Sequence, residues 1–339
     1  MKEATNSYKS FKTILPYIGI KVEDYWHIDY KFRQNGHEFD YYWDLKRKYT
    51  DFNGKVDGEM IPLYLGSDGQ DYYSSIFLGH YALGAYQKFL DDECNDAKFN
   101  FLNVADWFEK NISKDGNWYN DYPMPTFNLF KSWQSCLSQA KGISTLARAF
   151  YITRDDKYYK AMMLASNSFF SSVQNGGVQV NKNGIILFEE YTTETPSSVL
   201  NGHIFALWSL MDILKASSYL DTDTDTDTDT DTDTDTDTDA HADYKSSIKS
   251  ILSNSLVCLS QNLHLWDTGS WSRYDIWDKH YNIASLFYHD LHIKQLYILH
   301  QITGMNEFDV FRRKWEGYRK NPFTRILSLF RKVIFRISK

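Results

Sequence analysis

Apolar residues recur every three to four positions through most of the chain beyond residue 75. This spacing places them on one face of an α-helix. It predicts helices at residues 75–90, 99–111, 133–152, 157–173, 196–216, 243–263, 285–302 and 307–318. Asp156 and Thr195 are predicted N-caps, and Pro196 suits the first position of the helix after Thr195.

The connections between these helices alternate in length. The turn at 153–156 is tight, whereas 113–131, 174–195 and 266–284 are longer and carry the unusual polar residues. Helical hairpins joined by alternately short and long loops predict a mainly α fold. We expect an α/α toroid (an incomplete α/α barrel) whose long loops gather at one mouth. An irregular helical bundle is the alternative.

The two ends of the chain differ from this helical region. Residues 1–74 read as an irregular segment with short strands near 19–22 and 60–65, and we expect this segment to pack on the barrel. The helical domain is predicted to span 75–320. Residues 321–339 form a separate basic tail.

The tail belongs to a strongly basic stretch. Residues 312–339 contain ten basic residues and one acid, and from Phe323 onward apolar and basic residues alternate. This pattern is typical of an amphipathic helix lying on an anionic membrane surface. Docking of the same helix on the domain is equally compatible with the pattern.

Other features bear on location. The chain shows neither an N-terminal apolar run nor a stretch of about 18 apolar residues that could cross a bilayer. Cys94, Cys136 and Cys258 lack metal-binding or CxxC spacing, which fits a reducing compartment. We therefore expect a soluble cytoplasmic protein, peripheral to the inner membrane face through 321–339.

A low-complexity segment dominates the net charge. Residues 221–238 are nine Asp-Thr repeats followed by Asp239, and without these ten aspartates the formal charge of −7 would be +3. The tract has no apolar face to bury and repels itself, so 221–239 is predicted to be a disordered insert. Weak cation binding is the alternative. The mildly basic remainder does not oppose an anionic substrate.

Aromatic residues make up 17% of the chain, which fits either an aromatic core or a ring-lined groove for sugars. Polar and aromatic residues concentrate in three segments: FEEYTTETPSSVLNG (188–202), LWDTGSWSRYDIWDKHYN (265–282) and FYHDLHIKQL (287–296). The first places two carboxylates and a phenol side by side at the opening of a helix. Such a grouping indicates acid–base chemistry.

Several kinds of site compete for these residues. His289 and His292 share a helix face, but further ligands at matching spacing are missing, so no metal is predicted. The sequence lacks GxGxxG, a Walker loop and a nucleophile elbow, and we expect no cofactor. Paired carboxylates of a glycosidase remain open, Glu189 or Glu190 with Asp267 or Asp275. The neighbouring tyrosines favour acid–base work on a carbon acid instead, provided that the site tunes the phenol.

Four stretches then carry a resemblance. Four motifs in the same order resemble those of the D-glucuronyl C5-epimerase family: EEYTTETPSSVLNG, SWQSCLSQAKGISTLARAF (132–150), WDTGSWSRYD (266–275) and YHDLHIKQL (288–296). The resemblance covers about residues 70–320, the catalytic domain of that family. It implies an α/α barrel that inverts C5 of glucuronyl residues in a heparan-type polysaccharide, giving iduronyl residues, without a redox cofactor.

The resemblance also implies site residues. Catalytic roles fall on Glu190, Tyr191, Tyr274 and Tyr288, and substrate contacts on Gln139, Asn201, Arg273, His289 and His292. The chain departs from the family pattern at Lys141, which replaces a glutamine, at Thr192, which replaces a proline, and at Trp277, which replaces an arginine.

The implied partner is an anionic, heparosan-like polysaccharide. No nucleic-acid partner is expected, and a homodimer is left open. Two other functions remain compatible with these residues: an α/α-toroid polysaccharide lyase, and a non-catalytic polysaccharide-binding protein.

Overall fold

A computed structural model describes residues 15–18, 20, 24–33, 37–182, 184–224 and 235–337, leaving aside the side chains of 221–224 and 235–240. The described α-helices are α1 (Lys46–Thr50), α2 (Ser75–Asp92), α3 (Asn95–Lys110), α4 (Cys136–Thr153), α5 (Asp156–Ser166), α6 (Leu200–Thr224), α7 (Asp235–Asn262), α8 (Leu286–Thr303), α9 (Asn306–Lys320) and α10 (Pro322–Ile337). Two antiparallel hairpins accompany them: β1 (Tyr64–Leu65) with β2 (Asp71–Tyr72), and β3 (Gln179–Lys182) with β4 (Ile185–Phe188).

The helices form two layers. Helices α2, α4, α6 and α8 pack side by side in chain order, and each packs against the helix that follows it. These four helices are buried along most of their length, whereas α3, α5 and α9 expose one side. This arrangement of helical hairpins in an inner and an outer layer confirms the predicted mainly α, α/α-toroid fold.

Short turns close the hairpins as the sequence pattern predicts, with small differences at the caps. Arg154 ends α4 in the left-handed region with φ 56°. The following helix is capped by Asp155, whose carboxylate accepts from the Lys157 amide at 3.0 Å, and not by the predicted Asp156. Gly304 ends α8 with φ 69°, a conformation that costs glycine little.

Three sequence predictions need correction. The helix predicted over 157–173 ends at Ser166 and is followed by 3₁₀ turns at Asn167–Phe169 and Val173–Asn175. The helix predicted from Pro196 begins at Leu200, so Thr195 is not its N-cap. Residues 221–224 and 235–239 of the Asp-Thr tract continue α6 and α7, although they were predicted to be disordered. The middle of the tract, 225–234, lies outside the described residues, as does most of the strand expected near 19–22.

The N-terminal segment contributes to the core of the toroid. Trp43 is buried and meets the rings of Phe205 and Trp208 on α6. Beside them, Arg148 on α4 forms a buried, bidentate ion pair with Asp212 on α6, at 2.8 and 3.1 Å. The Arg148 guanidinium also donates to the Asp40 carbonyl, which ties the N-terminal segment to both inner helices.

Candidate active site

The β3–β4 hairpin delivers two adjacent acids to the opening of the inner helices. β4 ends at Phe188, and the Glu189 amide donates to the Val178 carbonyl at 2.8 Å. The Glu189 carbonyl in turn accepts from the Cys136 amide at the start of α4, also at 2.8 Å. The backbone of Glu189 and Glu190 is therefore fixed between the hairpin and the N-terminus of α4.

Glu189 organises the turn that precedes α6. Its buried carboxylate accepts from the amide and hydroxyl of Ser197, at 2.9 and 2.6 Å, and from those of Ser198, at 2.9 and 3.1 Å. Ser198 adopts φ 52°, outside the helical region. Because the carboxylate collects both amides, 196–199 cannot start the helix, and α6 begins at Leu200.

Replacement of Glu189 by glutamine should lower stability. The amide side chain keeps one acceptor oxygen and turns an N–H₂ group toward buried donors, which leaves at least one of them unsatisfied. We expect a loss of about 1–3 kcal/mol in the free energy of unfolding, measured with urea. Glu194→Gln, the same change at an exposed position of this loop, is the control and should leave stability unchanged. Equal stability of the two variants would contradict the assigned role.

Glu190 sits in a different environment. It is buried, and its carboxylate accepts from Asn201 Nδ2 at 3.0 Å and from the Tyr274 hydroxyl at 3.3 Å. Burial raises the pKa of Glu190 from 4.5 to about 7, against the lowering effect of the hydrogen bonds from Tyr191, Tyr274 and Asn201. The carboxylate is thus poised to gain and lose a proton near neutral pH.

The Asn-Gly pair at the opening of α6 serves this carboxylate. Asn201 supplies the amide that donates to Glu190. At Gly202, a Cβ atom would lie 2.5 Å from Glu190 Oε2 and 2.6 Å from Glu190 Cβ. Any larger residue would push the glutamate away, because atoms in contact cannot approach so closely.

Three tyrosines surround the Glu190 carboxylate. The hydroxyls of Tyr191 and Tyr274 lie 3.5 Å apart, and the rings of Tyr274 and Tyr288 meet edge to face with centroids 4.7 Å apart. Burial raises the pKa of all three phenols above its usual value, and the nearby Glu190 adds to the rise. The phenols are therefore neutral at neutral pH and can donate hydrogen bonds. The structure brings together the four residues predicted to be catalytic.

Tyr122 joins this group, and the sequence analysis missed it. The Tyr122 side chain is buried, its hydroxyl lies 3.5 Å from Ser74 Oγ, and its ring meets Trp133 edge to face. Burial raises the pKa of Tyr122, and Glu190 contributes to the rise. The available signal was its position in 113–131, one of the three long loops at the predicted mouth.

Asn201 is the predicted substrate contact that lies in the cluster. Its Nδ2 is used by Glu190, while its Oδ1 is buried without a hydrogen-bond partner among the described residues. A buried acceptor without a donor costs free energy unless a ligand satisfies it. Oδ1 is therefore available to accept a hydrogen bond from a bound ligand.

Gln139 has a different role from the predicted one. Its Oε1 accepts from the Trp118 amide at 3.1 Å, and its Nε2 donates to the carbonyls of Gly116 and Ala165, at 2.7 and 3.0 Å. These bonds fasten the 113–131 loop and the end of α5 to α4. The amide is thus committed to backbone groups and supports the mouth instead of facing a substrate.

The two predicted histidines also serve the framework. His289 stacks on Trp271 at 3.7 Å, and its two ring nitrogens lie 2.8 Å from Ser272 Oγ and 3.1 Å from the Trp315 carbonyl. His292 Nδ1 lies 3.0 Å from the same Ser272 hydroxyl. Burial lowers the pKa of His289 to about 3 and that of His292 well below 6.5. Both rings are neutral and bind Ser272 or the Trp315 carbonyl, so the expectation that they contact a substrate is corrected.

Arg273 is adjacent to Tyr274 in the chain but has other neighbours. Its backbone pairs with Ile283, and its guanidinium lies 4.7 Å from the centre of the exposed Tyr281 ring. Arg273 Nε is buried without a hydrogen-bond partner among the described residues. The predicted substrate contact therefore stays a prediction, with Tyr281 as the neighbour that holds the guanidinium.

The acids proposed for a glycosidase pair are anchors of the 266–284 loop. Asp267 accepts from Lys314 Nζ and from Trp315 Nε1. Asp275 is buried and accepts from Asn282 Nδ2 at 2.7 Å, with His280 Nε2 at 3.2 Å. Both carboxylates therefore hold the backbone that carries Tyr274. Across the described parts of the chain, no group of three or more His, Cys, Asp or Glu residues is arranged to hold a metal ion.

An aromatic wall borders the Glu190 cluster. Neighbouring rings have centroids 3.8 to 6.0 Å apart along the whole run. The name aromatic wall is used below for the series Trp26, Tyr64, Tyr122, Trp133, Tyr191, Phe127, Trp277 and His280. Ring faces and edges of this kind suit the C–H faces of sugars, while the phenol hydroxyls suit their polar groups.

Comparisons with known proteins place the chain in a family. The sequence profile of the family described as D-glucuronyl C5-epimerase C-terminus matches residues 112–317. A D-glucuronyl C5-epimerase of Caenorhabditis elegans is 31% identical over an alignment of 231 residues that covers 64% of this chain and 34% of that protein. An uncharacterised protein of Methanocaldococcus jannaschii is 30% identical over 216 residues, 62% of this chain and 60% of that protein. The chain thus matches about a third of the first relative and three fifths of the second.

Among solved structures, a polysaccharide lyase superposes with a TM-score of 0.41 at 12% identity. The superposition covers 82% of this chain and 35% of the lyase. A TM-score of this size carries no argument about function.

Proposed function

Because the chain belongs to the D-glucuronyl C5-epimerase C-terminal family, we propose that it inverts C5 of D-glucuronyl residues in a heparosan-like polysaccharide, producing L-iduronyl residues. The observation that carries the proposal is the Glu190 cluster. A buried carboxylate with a pKa raised to about 7 lies among neutral phenols beside an aromatic wall. These are the groups that proton transfer at a carbon acid requires.

The reaction sets three demands. A base must remove the C5 proton from one face of the sugar, an acid must return a proton to the other face, and donors must stabilise the charge that spreads onto the uronate carboxylate. Removal of a proton next to an ionised carboxylate concentrates negative charge. Uncharged hydrogen-bond donors in a buried site stabilise this charge and add no further negative group beside it.

We assign the base to Glu190 and the acid to Tyr288. The ionised form of Glu190 is well populated near pH 7, because the pKa lies there. Tyr288 opens α8, and its phenol is kept neutral by burial. Glu190 takes the C5 proton of a glucuronyl residue, and the Tyr288 hydroxyl delivers its proton to the opposite face.

Tyr274 provides the route by which the site resets. After one turnover Glu190 is protonated and Tyr288 is a phenolate. The Tyr274 hydroxyl contacts Glu190 at 3.3 Å, and hydrogen bonding from Tyr274 lowers the pKa of Tyr288. Glu190 can therefore pass its proton to Tyr274 while Tyr274 passes its own to Tyr288. The cycle closes with no net change in charge.

The remaining groups suit binding and orientation. Tyr191 stacks on Phe127 with centroids 3.8 Å apart, which fixes its hydroxyl near that of Tyr274. In our proposal Tyr191 donates to the uronate carboxylate. Asn201 Oδ1, buried without a partner in the described structure, accepts from a ring hydroxyl of the same residue.

The experiment is product analysis after incubation with heparosan. We expect iduronyl signals in the proton NMR spectrum of polymer that keeps its length. Heparosan with its carboxyl groups reduced to alcohols is the control and should remain unchanged, because its C5 proton is not acidified. Shortened chains with an unsaturated, ultraviolet-absorbing end would instead indicate a lyase, which shares the first step and then expels the 4-O group. Binding without either product would indicate a non-catalytic protein.

A further inference from the structure

The C-terminal helix α10 (Pro322–Ile337) docks on the domain by its polar side. Arg331 donates to Ser270 Oγ at 3.0 Å. Lys332 donates to Asn282 Oδ1 and to the Ile283 carbonyl, at 2.7 and 2.8 Å. Ser328, on the same side of the helix, is buried. Arg331, Lys332 and Ser328 therefore face the protein.

The opposite side of α10 is apolar and exposed. Seven residues at helical spacing form it, with relative exposures of 37% to 81%. The name apolar stripe is used below for the set Phe323, Ile326, Leu327, Phe330, Val333, Ile334 and Ile337. A helix on the surface of a soluble domain normally buries its apolar face and exposes its polar one. α10 has the reverse orientation, so the apolar stripe requires a cover.

The charge of the C-terminal segment indicates which ligand binds the apolar stripe. Residues 312–339 carry ten basic residues and one acid, and the segment keeps a net positive charge although Arg312, Arg313, Lys314 and Arg319 pair with acids. A second copy of the chain, seated on the stripe by a two-fold axis, would bring two such basic segments together. An anionic lipid surface instead offers hydrocarbon to the apolar stripe and opposite charge to the exposed basic residues Lys320 and Arg336 near its two ends. Helices long and apolar enough to cross a membrane are absent from the described residues.

We propose that α10 docks the protein on an anionic lipid membrane through the apolar stripe. The observation is independent of the reaction at Glu190. It nevertheless bears on that site, because the docked side of α10 supports the loop that carries Tyr274. Asn282, which accepts from Lys332, donates to the buried Asp275, and Phe335 lies 5.0 Å from His280 at the end of the aromatic wall. Lipid docking would thus place the mouth of the toroid near the membrane surface.

Sedimentation of the full chain with lipid vesicles tests the proposal. We expect the protein to bind vesicles of phosphatidylcholine with phosphatidylglycerol at low salt, and to bind phosphatidylcholine vesicles weakly. The double variant Phe330→Glu with Ile334→Glu should lower the affinity for anionic vesicles at least 10-fold, since it places two acids on the apolar stripe. Both side chains are exposed, so the thermal unfolding midpoint should not fall.

The control is Phe99→Glu, an exposed aromatic position on α3, outside the stripe, which should bind vesicles as the unaltered chain does. Two results would overturn the proposal. One is anionic-vesicle binding that is absent in the unaltered chain or unaffected by the double variant. The other is self-association in solution, seen by light scattering, that the double variant abolishes while lipid binding is missing.

Discussion

Glu190→Gln is expected to lower the turnover number by about 100-fold or more, because the variant keeps the shape of the side chain and loses the base. Substrate affinity should change little, since Gln can still accept from Asn201 or Tyr274. In the unaltered protein kcat/KM should rise as the pH passes about 7, where the Glu190 carboxyl ionises. Steady-state kinetics from pH 5 to 9 measure both effects. Turnover near that of the unaltered enzyme would remove Glu190 from the mechanism.

The same variant has an expected effect on stability. The pKa of Glu190 is higher in the folded chain, about 7, than its ordinary value of 4.5. Its favourable contribution is therefore present below about pH 4.5 and is lost as the pH rises through 7. The loss reaches about 3 kcal/mol for a shift of this size. Glu190→Gln has no such proton, so its stability should fall less than that of the unaltered chain as the pH rises from 5 to 8.

Urea unfolding at pH 5 and pH 8 measures this difference. The unaltered chain should lose more stability than Glu190→Gln between the two values. An equal loss in both proteins would show that Glu190 is not the titrating group. Gain of stability together with loss of turnover would identify a residue held in a costly environment for its chemistry.

Tyr288→Phe is expected to reduce epimerisation by about 100-fold or more while KM changes little. The phenylalanine ring keeps its packing against Tyr274, and only the hydroxyl is lost. Glu190 can still remove the C5 proton of a glucuronyl residue and return one to the same face. The variant should therefore exchange the C5 hydrogen of glucuronyl residues with solvent and form very little iduronyl product.

Tyr297→Phe provides a matched control. Tyr297 lies on the same helix, α8, and its ring packs against Phe32. We expect this variant to epimerise at the rate of the unaltered protein. Normal epimerisation by Tyr288→Phe would refute the assignment of the acid. Loss of both exchange and epimerisation would show that Tyr288 is needed for proton removal itself.

The sequence was sufficient for the toroid and for the group around Glu190. Apolar spacing predicted the helices, because a helix packed in a layered fold has to bury at least one face. The four predicted catalytic residues stand in three stretches of the chain, and the fold brings them together at the openings of α6 and α8. Their roles in the reaction remain predictions.

The start of α6 shows what local pattern could not decide. Thr195 and Pro196 form a good helix-start signal, yet Glu189 withdraws the amides of Ser197 and Ser198 from the helix. That interaction depends on the β3–β4 hairpin, which places the carboxylate above the turn. A tertiary contact here overrides a local preference.

The prediction that His289 and His292 contact a substrate was wrong for a related reason. A His-x-x-His spacing fixes a helix face but does not say whether a ligand or the core lies in front of it. In this protein Ser272 and Trp315 lie there, and burial keeps both rings neutral. Gln139 likewise supports the loop that brings Tyr122 to the site. Burial and partners can be known only from the folded chain.

The most direct test of the proposed chemistry is C5 hydrogen exchange by the unaltered protein on heparosan in deuterated water. Glu190 and Tyr288 both exchange their protons with solvent, so each epimer formed should carry deuterium. The proposed mechanism predicts deuterium at C5 of iduronyl and of recovered glucuronyl residues, in polymer of unchanged length. Retention of hydrogen at C5 throughout, with heparosan bound, would contradict it.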